Sequence, residues 1–460
     1  MIRPMPQFGD TNIRKALYHA WEYLLLELSV CLLPQNTTVA RQMLQVAEQA
    51  LESNQRSQPP EDIFVRLRYS RASLTLTLFQ RLADASQMPA DIGQSLAIIA
   101  TTIYGVETPF SKDQISYQRT LLKILFMVLR GATHSSNSAH VRRVAEAPAA
   151  VTQQVLTVLD RVVAASFRTL VTLIHESESV TTPEDLALVT AVLQACLTVP
   201  GIEQCQEQIL NIMLAQDVIQ MATSLFSWSD RFTYNGDPIY GELSLLFLLE
   251  LSALRTIAEQ LAIEGLLSHI TSAKLVSFMR QRNVSPFSDN AGAARCYGVW
   301  AKGILPLLLN IIRALDARIA PEVAHVLNQF GDLLNSSAER IQAPGISRTV
   351  ARDSQQYITL IGVAEIHSLA LLFRVLAALR VNNQRDIPEV RWDAAGVLEN
   401  IEFWLASRKI LRERLLALGP RESNWRATKA NEGSNCDSRL EEKVVSQLEA
   451  VRDVLSEDLE

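Results

Sequence analysis

Thr182-Pro183-Glu184-Asp185 opens the stretch that decides the fold class, and the apolar run Leu186-Ala-Leu-Val-Thr-Ala-Val-Leu-Gln-Ala-Cys-Leu197 follows it. Proline fixes the φ angle that the first helical turn needs, and acidic side chains are favoured at the positive end of a helix. Pro59-Pro60-Glu61-Asp62 and Met88-Pro89-Ala90-Asp91 repeat this layout. Three such starts in one chain predict a helical protein.

Apolar residues recur at spacings of three and four along the chain, whereas sustained alternation with a period of two is absent. We therefore predict an all-α fold with no strands. The predicted helices lie near residues 12–32, 38–53, 61–84, 90–104, 112–131, 147–175, 184–198, 203–226, 239–253, 255–264, 266–280, 290–316, 320–341, 348–381 and 389–417.

The spacing of these helices indicates the architecture. Alternate helix starts lie roughly 40 to 60 residues apart, close to the period of HEAT and armadillo helix pairs. No internal sequence identity accompanies this spacing. We predict an α-solenoid of divergent HEAT- or armadillo-like repeats, with one concave and one convex surface available to partners.

We expect three parts along the chain: a helical solenoid over residues 1–418, a flexible polar tether over 419–437, and an amphipathic helix over 438–460. The tether is rich in Asn, Ser, Gly and charge. A second polar loop is expected from Ala132 to Ala147. The final helix has an apolar stripe on an otherwise charged segment, formed by Leu440, Val444, Leu448, Val451 and Leu455.

Composition excludes several classes of protein. Hydrophobic residues make up 48% and charged residues 20% of 460 residues, which indicates a folded chain. The net charge is −6 and the basic residues form no blocks, so we expect no direct nucleic-acid binding. No apolar segment appears long enough to cross a membrane, which needs about 20 residues, and the start lacks a secretory signal. Five widely spaced cysteines are interpreted as reduced core thiols of an intracellular protein.

The sequence lacks the familiar catalytic and metal-binding motifs. The sequence has no Gly-rich phosphate loop, dinucleotide fingerprint, His-Glu-x-x-His, Cys-x-x-Cys or nucleophile elbow. His134 and His140 lie in the expected polar loop without a nearby cysteine or carboxylate pair, which is a poor template for tetrahedral zinc. We therefore expect a protein that is not an enzyme and that uses no cofactor and no metal.

An aromatic connection between helices is the candidate partner-binding patch. Its four aromatic residues are Trp228, Phe232, Tyr234 and Tyr240. Aromatic side chains with polar tips are enriched at protein interfaces. They also fasten long connections to a scaffold, and the sequence leaves both interpretations open.

Four segments, 237–252, 258–269, 300–309 and 320–328, resemble the C-terminal half of the large inner-ring scaffold nucleoporins of the 188-kilodalton class. The related 192-kilodalton class is a near alternative. The resemblance implies a solenoid similar in shape to nuclear transport receptors, located at the nuclear pore complex of the nuclear envelope. It further implies a scaffold that binds linear segments of linker nucleoporins, with contact to Phe-Gly repeats as an additional expectation. Family members are several times longer, so the chain corresponds to a C-terminal part.

A soluble karyopherin-like transport receptor, or another HEAT-repeat cargo carrier, is the alternative function. The architecture of a helical solenoid alone does not distinguish a transport carrier from a scaffold protein. A carrier should bind the GTP-loaded small GTPase that drives cargo exchange, whereas a scaffold should not. Phe-Gly occurs only at Phe8-Gly9 and Phe330-Gly331, so the chain would bind such repeats rather than supply them.

Overall fold

The computed structural model describes residues 20, 37–53, 62–85, 92–135, 149–176, 180–280, 284–288, 290–344, 357–383, 386–431 and 433–456. Within these ranges the chain is helical and contains no strand, which confirms the all-α prediction. The chain divides into an N-terminal unit, Met1–Met221, and a C-terminal unit, Ala222–Glu460. Sequence periodicity did not predict this boundary. The predicted helix 12–32 lies outside the described residues, apart from residue 20.

The N-terminal unit consists of helices packed on one another. A π-helical turn, Leu159–Ala164, joins α5 to α6, and a 3-10 turn, Ile202–Cys205, precedes α8. The helices are α1 (Thr37–Ser53), α2 (Asp62–Asp84), α3 (Ile92–Tyr104), α4 (Ile115–Ser135), α5 (Ala149–Val158), α6 (Ala165–His175), α7 (Pro183–Leu197) and α8 (Gln206–Ala215), with α9 (Val218–Ser227) crossing the unit boundary.

Helices of this unit pack on close neighbours in the sequence: α1 on α2 and α3, α2 and α3 on α4, and α4 on α7. The predicted start at Thr182 is present, because Asp185 Oδ2 accepts a hydrogen bond from Thr182 N at 2.8 Å. The same carboxylate holds Arg119 of α4, with 2.8 Å between Nη2 and Oδ2. Asp185 thus caps α7 and ties it to α4. The finer HEAT or armadillo character of the stack stays a prediction.

A helix occupies the first residues of the polar loop expected from Ala132 to Ala147. Helix α4 continues to Ser135, so His134 is helical, while His140 lies outside the described residues. Polar residues alone do not end a helix. The 132–135 stretch contains neither a proline nor a residue in the left-handed conformation, two features that often accompany a helix end.

The C-terminal unit holds the candidate site. The predicted helix 266–280 divides at Ala273, whose ψ of 138° breaks the helix between α12 and α13. The helices are α10 (Ile239–Ser252), α11 (Arg255–Ile263), α12 (Leu266–Ser272), α13 (Lys274–Met279), α14 (Ala291–Gly298), α15 (Leu305–Leu315), α16 (Ala320–Asn328), α17 (Gly331–Arg340), α18 (Leu360–Asn383), α19 (Ala394–Ala406), α20 (Arg408–Arg414), α21 (Gly419–Ala427) and α22 (Arg439–Ser456).

Helices α14 and α15 are joined by the π-helical turn Val299–Ile304, which packs on α10 and α18. Pro306 lies in the first turn of α15 and has no backbone N–H to donate to the preceding turn. The helix therefore continues past this proline with a widened turn on its N-terminal side. Trp300 of the π-helical turn is fully buried and contacts the ring of Phe330, with 4.8 Å between centroids.

Two helical stretches, Ala291–Arg318 and Leu360–Val381, are long and apolar enough to cross a membrane by length and composition. The bent pair Pro183–Leu197 and Ile202–Ala215 would make a third if it counted as one span. Charge-free runs in the sequence did not indicate these stretches, but among the described residues none is a clear membrane span. Inside the protein, 67% of the apolar window of the first stretch and 39% of that of the second are buried.

The end of the chain differs from the expected tether. Helix α21 forms within residues 419–437, where composition indicated a flexible segment. Gly419 has a φ of +81°, Pro420 occupies the first helical turn, and the Glu422 side chain accepts a hydrogen bond from Leu418 N at 2.8 Å. Composition missed this helix because its start depends on local capping rather than on an apolar stripe. Flexibility in the remainder of 419–437, like the three-part division itself, stays a prediction.

Candidate partner-binding site

The aromatic connection lies between α9 and α10, and a tight turn shapes it. Tyr234 N donates to Asp237 O at 2.9 Å, and Asp237 N donates to Tyr234 O at 3.0 Å. Asn235 and Gly236 between them have φ angles of +52° and +81°. Positive φ at both central residues defines a type I′ turn, for which Asn-Gly is strongly preferred. The local sequence therefore specifies the reversal.

Arg295 of α14 links this turn to α14 and α10 through hydrogen bonds. Its Nη2 lies 2.8 Å from Asp237 Oδ2 and its Nε lies 3.2 Å from Oδ1, while Nη1 donates to Glu242 of α10. The planar guanidinium fork suits such two-point binding of a carboxylate. The hydrogen bond to Asp237, followed by the hydrogen bond and charge of Glu242, raises the pKa of Arg295. The connection is thus held rigidly.

A cleft of about 530 Å³ opens between this connection, α13 and the start of α14. Clefts of this size accommodate small ligands or a few side chains. Among the described residues that line it, the charged ones are Asp230 and Lys274, whose side chains lie 3.8 Å apart. The lining residues are Asp230, Thr233, Gly236, Pro238, Lys274, Leu275, Ser277, Phe278, Val284, Asn290, Gly292, Ala293 and Cys296. A largely uncharged cleft with an exposed phenyl ring suits a short apolar segment.

The structure does not gather the four predicted aromatic residues on one surface. Trp228 is 46% exposed and carries the guanidinium of Arg231 over its ring at 4.4 Å, and Tyr234 is 40% exposed. Phe232 is half-buried, whereas Tyr240 is buried in α10. Trp228 and Tyr234 are therefore accessible to a partner, and Tyr240 belongs to the core.

Phe278 is the exposed aromatic residue of the cleft that the sequence analysis missed. It lies on α13, 50% exposed, while Leu275, Val276 and Met279 of the same helix are buried. The signal was present in the sequence, because Phe278 falls outside the buried stripe of its helix. The prediction of one continuous helix over 266–280 did not indicate the exposure of Phe278. The break at Ala273 changes the direction in which the later side chains project.

The described cysteines, Cys196, Cys205, Cys296 and Cys436, are free thiols, and Cys31 lies outside the described residues. Cys196 and Cys296 are buried, and the other two are half-buried. Burial raises the pKa of the Cys196 thiol, and burial together with the charge of Asp237 raises the pKa of Cys296 to about 11. In the part of the chain that the structure describes, no three His, Cys, Asp or Glu side chains group as metal ligands.

Residues 95–455 match the family described as the nuclear pore protein NUP188 C-terminal domain. The chain belongs to this family. It is 55% identical to nucleoporin NUP188 of Chaetomium thermophilum over 97% of its own length, and 26% identical to nucleoporin NUP188 of Saccharomyces cerevisiae over 28%. The solved fragment Nup188(aa1445-1827) from Myceliophthora thermophila is 63% identical, has a TM-score of 0.71, and covers 80% of this chain and 99% of that fragment.

Membership of the NUP188 family confirms the 188-kilodalton resemblance; the 192-kilodalton alternative stays a prediction. The family consists of nuclear pore proteins, so the chain is a nucleoporin component of the nuclear pore complex, in the nuclear envelope. The relatives support a scaffold role there. The chain spans 26% of the length of the Chaetomium relative and 8% of the Saccharomyces relative.

Proposed function

We propose that the chain is a structural adaptor of the inner ring of the nuclear pore complex that binds linear segments of linker nucleoporins. The match of residues 95–455 to a nuclear pore family carries this proposal. A non-enzymatic scaffold agrees with that family, and the two units of packed helices offer extended surfaces for binding.

The cleft beside the aromatic connection is the proposed binding surface. Phe278 in the cleft and Trp228 on the connection are large, exposed and attached to ordered elements. Such side chains contribute most of the binding free energy at many interfaces. The turn held by Arg295 is formed before binding, which lowers the ordering cost of association. A phenylalanine of a linker segment, or of a Phe-Gly repeat, would enter the cleft beside Phe278.

Affinity measurements on single variants test this surface. Fluorescently labelled segments of linker nucleoporins and a Phe-Gly repeat peptide are titrated with the chain. We expect Trp228→Ala and Phe278→Ala each to weaken binding about tenfold, because removal of an interface anchor costs more than about 1 kcal/mol. Val381→Ala is the matched control, since Val381 is 86% exposed in the same unit and does not line the cleft.

Two results would contradict the proposal. Equal loss of binding in all three variants would mean that the cleft is not the binding surface. Stable binding of the GTP-loaded form of the transport GTPase would favour the carrier function instead of the scaffold. The scaffold proposal therefore expects retention of linker segments and no retention of that GTPase in the same pull-down.

A further inference from the structure

A second surface, distant in sequence from the cleft, lies where α21 packs on α22. The Arg421 guanidinium carbon and Lys443 Nζ each lie 4.7 Å from the centre of the Trp425 ring. Thr428 O accepts a hydrogen bond from Arg439 N at 2.9 Å, which places Lys429 and Arg439 on adjoining backbone. Arg439 and Lys443 are one helical turn apart on α22. We call Arg421, Lys429, Arg439 and Lys443 the basic surface.

Among the described residues, none of the four takes part in an ion pair. Of the nearby carboxylates in the described residues, Asp437 and Glu441 bind Arg412, whereas Glu422 accepts from Leu418 N and Glu442 accepts from Asn431 Nδ2 at 3.1 Å, bonds from neutral groups that do not cancel a carboxylate charge. Among the described residues, the four cations of the basic surface therefore outnumber the two nearby carboxylates, Glu422 and Glu442, that make no ion pair.

The Trp425 ring contacts two of these cations, Arg421 and Lys443, and restricts their positions before a ligand binds. Contact with an aromatic face favours one position of a long basic side chain over its many alternatives. Less side-chain entropy is then lost when a ligand binds. An arginine fork and neighbouring ammonium groups bind carboxylates through short, charge-assisted hydrogen bonds.

We propose that the basic surface binds a short acidic segment of a partner protein, rich in Asp and Glu. A lipid bilayer fits less well, because no exposed large apolar side chain of the described residues lies between 408 and 456 to insert into it. Nucleic acid also fits less well, because bases stack on free aromatic faces and Trp425 already stacks with cations. The surface is separate from the cleft of the proposed function.

Fluorescence anisotropy with a labelled peptide of alternating Glu and Ser, about twelve residues long, tests the proposal. We expect saturable binding that weakens strongly between about 0.1 M and about 1 M salt, as the screening length falls from about 10 Å to about 3 Å. A Gln-Ser peptide of equal length should not bind. Anionic vesicles and single-stranded RNA should not displace the acidic peptide at matched charge.

Paired substitutions locate the binding. Lys429→Gln with Arg439→Gln leaves the Trp425 contacts intact and should weaken peptide binding about fivefold, since each exposed ion pair contributes up to about a factor of five. Lys302→Gln with Arg313→Gln removes two exposed cations elsewhere in the same unit and should change nothing. Circular dichroism verifies that both variants fold.

Equal weakening in the two paired variants would overturn the proposal, because binding would then follow net charge alone. Absence of peptide binding at low salt, or tighter binding of the vesicles or RNA, would also overturn it. Trp228→Ala and Phe278→Ala should leave acidic-peptide binding unchanged. Failure of this inference is therefore distinguishable from failure of the linker-binding proposal.

Discussion

Arg340 and Glu365 form an ion pair inside the C-terminal unit, with 2.7 Å between Nη2 and Oε2 and a Glu365 side chain that is fully buried. Tyr297 Oη donates to the same carboxylate at 2.7 Å, and Trp300 Nε1 donates at 2.8 Å. Burial, followed by the charge of Glu365, raises the pKa of Tyr297. The carboxylate thus connects α17, α18 and the long helix through α14 and α15 with both of its oxygens satisfied.

Glu365→Gln should destabilise the C-terminal unit by about 3 kcal/mol, because removing one charge of a buried pair leaves the other uncompensated. Urea unfolding followed by circular dichroism measures this change. Glu389→Gln is the control: Glu389 is 74% exposed and lies 3.5 Å from Arg380, so its loss should cost less than about 1 kcal/mol. Similar losses in the two variants would show that the buried carboxylate has no special role.

Gly241→Ala should destabilise the junction between the aromatic connection and α10 by about 1 to 3 kcal/mol, as overpacking does. A Cβ atom there would lie 2.7 Å from Ser229 Oγ and 2.8 Å from Ser229 Cβ, and Ser229 is fully buried. Thermal unfolding measures the effect. Gly331→Ala is the matched control, because no atom outside its own helical backbone and chain neighbours lies within 4 Å of the added Cβ. Unchanged stability of Gly241→Ala would mean that Ser229 moves aside freely.

The raised pKa of Cys296 predicts that the folded protein loses stability at alkaline pH. Its folded-state pKa of about 11 lies above the ordinary value of 9.0, so the folded protein favours the protonated thiol. The resulting stabilisation is complete below pH 9, falls as pH rises towards 11, and amounts to on the order of 2 kcal/mol.

Free energies of unfolding at pH 7 and pH 10.5, for the wild type and Cys296→Ala, measure this contribution. The pH 7 difference gives the cost of the lost side chain alone, since the thiol is then protonated in both states. At pH 10.5 the wild type should lose more of its stability than the variant. Parallel losses would contradict the assignment.

Elements with local causes were predictable from the sequence. The start of α7 at Pro183 was predicted because Thr182 and Asp185 cap it within one turn. Helix α21 is an exception, because its local cap, the Glu422 side chain that accepts from Leu418 N, starts a helix without an apolar stripe. Likewise, the aromatic connection was recognisable, but the burial of Tyr240 and the cleft beside Phe278 depend on packing between elements distant in sequence. Amino-acid composition does not indicate which elements distant in sequence pack together.

Helix α22 is packed on α18 and α19 rather than standing apart. Its stripe residues Leu440, Val444, Leu448, Val451 and Leu455 are all buried in the C-terminal unit. At its start, Arg412 of α20 binds the buried carboxylate of Glu441, with 2.8 Å between Nε and Oε1. An isolated helix of this length is only marginally stable in water, so docking supplies most of its order.

Leu448→Asp should therefore release α22 from the unit, because Leu448 is fully buried and a carboxylate in its place would lose its hydration without gaining a partner. Hydrogen exchange with mass spectrometry should show much faster exchange over Arg439–Ser456 and unchanged exchange over Leu243 to Leu251 in α10. Ser446→Asp places the same charge on the exposed side of the helix and should leave both segments unchanged. If the wild-type helix already exchanges as an unfolded peptide, docking on α18 and α19 is wrong. Faster exchange in α10 as well would mean that α22 stabilises the whole unit rather than docking as a separate element.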